Sequence, residues 1–122
     1  LGDVYKRQKY DGLDDYPDFI LPAAKYISEH KLVGIIFGGS GQGEAMAANR
    51  IKGIRAAVFY NGPNEIVELS RLHNNANILS IGARFIGNLE VDKVIEIWLS
   101  KDFEFGRHEK RINNFVALLF YN

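Results

Sequence analysis

Short apolar runs alternate with amphipathic stretches along most of the chain. The runs at residues 32–37, 54–60 and 77–81 are short and mostly hydrophobic, which is typical of parallel strands covered on both faces. The stretches around them place apolar residues at helical spacing and predict helices at residues 17–30, 44–51, 65–72, 89–99 and 107–121. Strands that alternate with helices in this way favour an α/β fold in which helix layers enclose a parallel sheet.

Composition and charge remove several classes of protein. A chain of 122 residues with 47% hydrophobic and 25% charged residues fits one globular domain. Fifteen Lys and Arg residues balance fifteen Asp and Glu residues, so we expect neither a nucleic-acid nor a membrane partner. No apolar run approaches the roughly 20 residues that span a bilayer. The absence of cysteine removes disulfides, thiolate metal ligands and a cysteine nucleophile.

A glycine-rich loop follows the first predicted strand. Residues 38–43 read Gly-Gly-Ser-Gly-Gln-Gly, so a ligand could approach backbone N–H groups that converge at a helix N-terminus. No Lys-Ser/Thr pair follows the glycines, and the sixth place counted from Gly39 is Glu44, so the loop fits neither a Walker A nor a dinucleotide-binding motif. An anion hole is one interpretation of this loop. A tight strand-to-helix connection that merely needs glycine is the other.

Polar residues in three places could supply chemistry. Glu44 is either a partner of the helix dipole or a base that removes a proton alpha to a carbonyl while the loop holds the enediolate. His73 and Asn74 either reach the top of the sheet as proton-exchanging and hydrogen-bonding groups or cap the preceding helix. Arg107 and Arg111 lie four residues apart on one helix face, which suits either a bound phosphate or a solvated basic turn.

Six stretches of the chain form a series that is more specific than the glycine loop alone. They are Asp15-Tyr16-Pro17-Asp18, Gly39-Ser40-Gly41-Gln42-Gly43, residues 47–56, His73-Asn74-Asn75-Ala76-Asn77, Ile81-Gly82-Ala83-Arg84 and Gly106-Arg107-His108. In order and spacing they resemble the ribose-5-phosphate isomerase B family, which also includes the galactose-6-phosphate isomerase subunits. The resemblance covers roughly residues 11–115.

The resemblance implies a cytoplasmic aldose-ketose isomerase of the pentose phosphate pathway, without a cofactor or metal. Such an enzyme interconverts ribose 5-phosphate and ribulose 5-phosphate through a cis-enediol. The implied architecture is a Rossmann-like three-layer α/β/α homodimer, or a dimer of dimers, with each site between subunits.

The resemblance also implies the residues of the site. Many family members have a cysteine base where this chain has Gly38, whereas another branch has a Gly-Gly-Ser-Gly loop followed by Gly-Glu, and this chain matches the second branch. The implied base is therefore Glu44. The expected catalytic residues are Glu44, Ser40 and His73, and the expected substrate-binding residues are Tyr16, Gly39, Gly41, Gly43, Asn74, Arg107 and Arg111. By the family pattern, the two arginines come from the neighbouring subunit.

Further expectations concern the beginning of the chain. Residues 1–8 resemble translated vector sequence, so we expect a non-native leader at 1–8 and the isomerase domain at 9–122, with a floppy native terminus as the alternative. Family members begin with a strand that ends in Asp-His, then a helix and another strand, and this unit of about 30 residues is not found before Asp11. The chain alone is expected to be inactive and poorly folded, because the strand at 32–37 would face an unfilled edge.

Two functional alternatives remain open. The missing cysteine is compatible with a non-catalytic paralogue that only binds phosphorylated sugars. Allose or galactose 6-phosphate could also replace ribose 5-phosphate as the substrate, because pocket shape discriminates such small differences. Isomerase activity on ribose 5-phosphate separates the enzyme from the binding protein.

Overall fold

The structure, a computed structural model, describes residues 15–119 of the chain. The expected leader at residues 1–8 and the expected helical end at residues 120–121 lie outside these described residues. Within them the element order is α1 (Tyr16–Glu29), β1 (Gly34–Gly38), α2 (Gln42–Ala48), β2 (Ala56–Phe59), α3 (Asn64–Leu72), β3 (Ile78–Gly82), α4 (Asn88–Leu99) and α5 (Arg107–Leu119). None of the described helices is long and apolar enough to cross a membrane.

The predicted helices and strands are confirmed, with small shifts at their ends. Two strands start two residues later than predicted: β1 begins at Gly34 rather than at residue 32, and β2 begins at Ala56 rather than at residue 54. The residues before β1 close the end of α1: Leu32 N–H donates to Ile27 O at 3.0 Å, and Lys31 N–H donates to Ser28 O at 3.3 Å. Lys31 adopts a left-handed φ of 53°. This pair of hydrogen bonds is a Schellman motif, so Leu32 ends a helix instead of starting a strand.

The three described strands form a parallel sheet in the order β1-β3-β2. The central strand β3 pairs Ile78 with Gly34 of β1 and with Ala56 of β2, and all of its residues are buried. Apolar side chains cover both faces of the sheet and form two clusters. One cluster includes residues of α3 and α4: Phe59, Val67, Ala76, Leu79, Ile81, Val94 and Trp98. The other includes residues of α1 and α2: Ile20, Ala24, Ile36, Ala48, Ile54 and Ile78.

This topology gives the sheet two chemically different edges. The strands end together at Gly38, Phe59 and Gly82, and the loops that follow them lie at the carboxyl edge. The helices then run back and deliver the chain to the amino edge, where the strands begin. A strand of five residues at about 3.3 Å per residue separates the two edges by roughly 16 Å.

Candidate active site

The glycine loop is held against the carboxyl end of β3 by several hydrogen bonds. The buried Ser80 hydroxyl donates to Gly41 O at 2.7 Å. Ala83 N–H donates to Gly38 O at 2.8 Å, and Arg84 N–H donates to Gly39 O at 3.1 Å. Gly41 has a left-handed φ of 76°, and a Cβ there would lie 3.1 Å from the backbone of β3. This loop therefore needs glycine at position 41 both for its conformation and for its close approach to β3.

The carboxylate of Glu44 lies beside Gly38, in the space that a side chain at position 38 would occupy. A Cβ built on Gly38 would overlap one carboxylate oxygen and lie 2.8 Å from the other. Glu44 is half-buried and stands in the first turn of α2, where backbone N–H groups lack intrahelical acceptors. The arrangement brings a basic group and a set of backbone donors to one place, as proton abstraction with oxyanion stabilisation requires.

Two further side chains border the loop. The Tyr16 hydroxyl lies 2.5 Å from where a Cβ of Gly43 would be, and a terminal nitrogen of Arg84 lies 3.0 Å from where a Cβ of Gly39 would be. The hydroxyl of Ser40 accepts a hydrogen bond from Gln42 N–H at 3.2 Å. We call Tyr16, residues 38–44 and Arg84 the loop half-site. It contains the predicted residues Tyr16, Gly39, Ser40, Gly41, Gly43 and Glu44.

Arg84 was not predicted as a site residue. The sequence did carry a signal, because Arg84 follows the third strand by two residues and the loops after parallel strands meet at one edge. Its guanidinium adds a positive charge beside the backbone donors of the loop.

The other predicted residues form a second group, centred on a pair of histidines. The rings of His73 and His108 stack with centroids 4.0 Å apart and planes 12° from parallel. Asn74 follows His73, and Arg107 and Arg111 flank His108 in the first turns of α5. We call these five residues the histidine half-site. Both arginines and Asn74 are exposed, whereas His108 is buried.

The histidine half-site lies at the amino edge of the sheet, away from the loop half-site. His73 caps the C-terminus of α3, with its N–H donating to Leu69 O at 2.9 Å. The chain then passes Asn77, whose carbonyl accepts from Gly34 N–H at 2.8 Å where β1 begins. The interpretation in which His73 and Asn74 reach the carboxyl edge of their own sheet is therefore wrong, and the helix-cap interpretation of His73 is confirmed. The physical reason is that a helix following a parallel strand runs back to the amino edge.

Electrostatics around the stacked histidines favour a neutral His108. Burial lowers the pKa of His108 below its ordinary value, and the neighbouring His73, Arg107 and Arg111 lower this pKa further. The Glu104 carboxylate acts in the opposite direction on the same pKa. His108 is therefore harder to protonate than an ordinary histidine.

His73, Glu104 and His108 are the described residues that could together offer ligands to a metal ion. Their ligand atoms all lie within 4.8 Å of one another. The two imidazole planes are nearly parallel, so their in-plane lone pairs run side by side instead of converging on a point about 2.1 Å from each nitrogen. The geometry is that of ring stacking, and the expectation of a metal-free site stays a prediction.

Comparison with known proteins identifies the family. The chain matches the ribose/galactose isomerase family over residues 3–115. It is 38% identical over 109 residues to a probable ribose-5-phosphate isomerase B of Mycoplasma genitalium, covering 88% of this chain and 70% of that protein. It is 35% identical over 107 residues to ribose-5-phosphate isomerase B of Mycobacterium tuberculosis, covering 86% of this chain and 65% of that protein.

Solved structures agree with this result. Ribose-5-phosphate isomerase B from Mycoplasma genitalium with bound ribulose 5-phosphate gives a TM-score of 0.84 at 35% identity, covering 100% of this chain and 78% of that one. The Clostridium thermocellum ribose-5-phosphate isomerase B gives 0.81 at 38% identity, covering 86% and 70%. The chain belongs to the ribose/galactose isomerase family, and the expected Rossmann-like α/β fold is confirmed.

Proposed function

We propose that this protein interconverts ribose 5-phosphate and ribulose 5-phosphate through a cis-enediol. The observation that carries the proposal is the Glu44 carboxylate packed against Gly38, at the start of the glycine loop. Relatives named ribose-5-phosphate isomerase B, one of them solved with ribulose 5-phosphate, support this substrate over allose or galactose 6-phosphate.

The proposed chemistry is a proton transfer between adjacent carbons. Once the sugar ring is open, Glu44 takes the proton from C2, and the electron pair left on C2 forms the C1–C2 double bond of the enediolate. The N–H groups of the glycine loop stabilise the negative charge that develops on O1. Glu44 then gives its proton to C1, the proton of O2 moves to O1, and the C2 ketone of ribulose 5-phosphate results.

We further propose that each site is completed by a second copy of the chain, in a homodimer or a dimer of dimers. The separation of the two half-sites by roughly the length of a strand supports this, because His73 cannot serve the Glu44 of its own chain over about 16 Å. In the assembly, His73 of one copy would open the sugar ring held by the loop half-site of the other. Asn74 would contribute a hydrogen bond at the same place.

The phosphate group is assigned to the arginines of the histidine half-site. Arg107 and Arg111 lie one helical turn apart on α5, are exposed, and can present their guanidinium groups to the same phosphate. Tyr16 would border the sugar from the loop half-site. Arg84, which lies over Gly39, would add a second positive contact near the reacting oxygens.

The base assignment is tested with Glu44→Gln, which keeps the shape of the side chain and removes its basicity. We expect kcat to fall by about 10³-fold or more, while the dissociation constant for ribose 5-phosphate changes little. Gln42→Glu/Glu44→Gln serves as a control that restores the charge in the same turn without restoring its position. Near-normal turnover of Glu44→Gln in the full-length enzyme would overturn the assignment, and inactivity of the full-length wild-type enzyme would favour the non-catalytic paralogue.

The shared site is tested by complementation. Glu44→Gln and His73→Asn are each expected to be inactive alone, but a mixed dimer would contain one site free of both changes. After subunit exchange of an equal mixture, about a quarter of all sites should be intact and activity should recover to that level. As the control, each variant is taken through the same exchange procedure on its own and should stay inactive. Confirmed mixed dimers without recovered activity would show that both residues act within one chain.

A further inference from the structure

The proposed function gives no role to His108, although this side chain is the most buried member of the histidine half-site. Only 8% of its surface is exposed, and its ring covers one face of the His73 ring at a centroid distance of 4.0 Å. It stands in the first turn of α5, next to Arg107 and one turn before Arg111. One side chain therefore touches the proposed ring-opening group and shares a helix with the proposed phosphate-binding groups.

The backbone fixes the two rings relative to each other. Glu104 N–H donates to Leu72 O at 3.0 Å, which ties the segment before α5 to the last residue of α3. His108 N–H donates to Phe105 O at 3.2 Å, and Phe105 itself has a left-handed φ of 63°. The start of α5 is thus held beside the residue that precedes His73, and the stack follows from backbone contacts on both sides.

A second connection holds the same two segments together. The Arg71 side chain donates to Lys101 O at 3.1 Å and to Ala76 O at 2.5 Å. It therefore bridges the chain after α4 to the chain just beyond His73. With these anchors, His73 has little freedom to leave its neighbour, and a ring at position 108 limits the remaining rotation.

We propose that His108 is a positioning residue for the proposed isomerase: its buried ring fixes the orientation of the His73 imidazole and couples it to the arginines of α5. This inference rests on the proposed role of His73 in opening the sugar ring. His108 contacts His73 rather than the substrate, so its contribution is to orientation.

The charges around the stack disfavour a proton on His108. His108 faces His73 on α3, Arg107 and Arg111 on its own helix, and Glu104 on the preceding segment. Two imidazolium rings at a centroid distance of 4.0 Å repel each other, and the two guanidinium groups add to this repulsion at position 108. The lowered pKa of His108 agrees with this arrangement. His108 is therefore the neutral platform on which the His73 ring is stacked.

The chemistry of the two substrates offers a specific test. Ribose 5-phosphate is a cyclic hemiacetal that must be opened, whereas ribulose 5-phosphate is acyclic because its O5 carries the phosphate and cannot close on C2. A defect in ring opening therefore limits the reaction from ribose 5-phosphate to the rate of spontaneous opening. The reaction from ribulose 5-phosphate keeps its dependence on enzyme concentration.

The experiment measures initial rates in both directions for His108→Ala and His108→Phe at several enzyme concentrations. In His108→Ala we expect the rate from ribose 5-phosphate, relative to the rate from ribulose 5-phosphate, to fall by about tenfold or more and to stop rising with enzyme. His108→Phe, which keeps a ring for stacking, should retain this ratio within about threefold. For each of the two phosphorylated substrates, the KM should stay close to the wild-type value in both variants.

The two rates are compared at equal concentrations of folded enzyme, measured for each variant by circular dichroism, so misfolding does not change the ratio. An unchanged ratio in His108→Ala would overturn the positioning role, and so would an equally lowered ratio in His108→Phe. If the full-length wild-type enzyme fails to act in either direction, the proposed function itself is wrong. That result is distinct from a change in the ratio.

Discussion

Replacing Gly38 by alanine should damage catalysis while leaving the fold nearly intact. The new methyl group would overlap one carboxylate oxygen of Glu44 and lie 2.8 Å from the other, where ordinary contacts are 3.4–4 Å. The carboxylate must therefore move by at least about 1 Å, and a displacement of that size can cost about 10²-fold in rate. This loss corresponds to about 2.7 kcal/mol of transition-state stabilisation.

The effect of the same substitution on stability should be small. The nearest atoms to the new methyl group are the flexible end of the Glu44 side chain, which can change rotamer at a cost of about 1 kcal/mol. Alanine also restricts the unfolded chain more than glycine does, which offsets about 0.4–1 kcal/mol. We therefore expect the free energy of unfolding to change by less than about 1 kcal/mol.

The assay compares kcat for ribose 5-phosphate with the free energy of unfolding in urea. Gly87→Ala is the matched control: its methyl group would lie 2.5 Å from a carboxylate oxygen of Glu90, so a glutamate end is again displaced, but outside the half-sites. We expect near-normal kcat in that variant. The reasoning is refuted if Gly38→Ala keeps kcat within about threefold of the wild type, or if Gly87→Ala loses as much activity.

Three other predictions concern the support of the site and the core. Ser80→Ala removes the 2.7 Å hydrogen bond to Gly41 O and should lower the free energy of unfolding by about 1–3 kcal/mol. It should also lower kcat more than it changes KM. Unchanged kinetics would show that this hydrogen bond does not support the glycine loop. Trp98→Ala should cost about 3–5 kcal/mol in urea denaturation, whereas Trp98→Phe should cost clearly less, since it mainly loses the 3.1 Å bond to Ser70. Folding lowers the pKa of His108 below 6.5, so the unfolded chain takes up a proton at this histidine at a higher pH than the folded chain does. The free energy of unfolding should therefore keep its full value above pH 6.5 and decrease below it. This decline should be weaker in His108→Phe, and equal slopes in both proteins would contradict it.

The order and kind of the helices and strands were predictable from hydrophobic periodicity. The start of β1 was not, because a Schellman motif usually signals itself by glycine and here uses Lys31. The strand order β1-β3-β2 was also not predictable, since it depends on which edges pack together and not on any one segment.

The candidate site was predictable as a set of residues but not as an arrangement. The position of His73 could have been deduced, because a helix that leaves a parallel strand returns to the amino edge before the next strand. The contact between Glu44 and Gly38 could not, because the rotamer of a glutamate in a first helical turn is set by the loop that folds over it. The stack of His73 on His108 joins segments 35 residues apart in sequence, and no local pattern announces it.

The shared volume at positions 38 and 44 also bears on how such a sequence can change over generations. A side chain at 38 and a carboxylate from 44 compete for one space, so a thiol gained first at position 38 would push Glu44 aside before replacing it. Losing Glu44 first would remove the proposed base before the thiol arrived. Either single step passes through an impaired enzyme, so the two positions are expected to be epistatic, and lineages with one arrangement should seldom convert to the other.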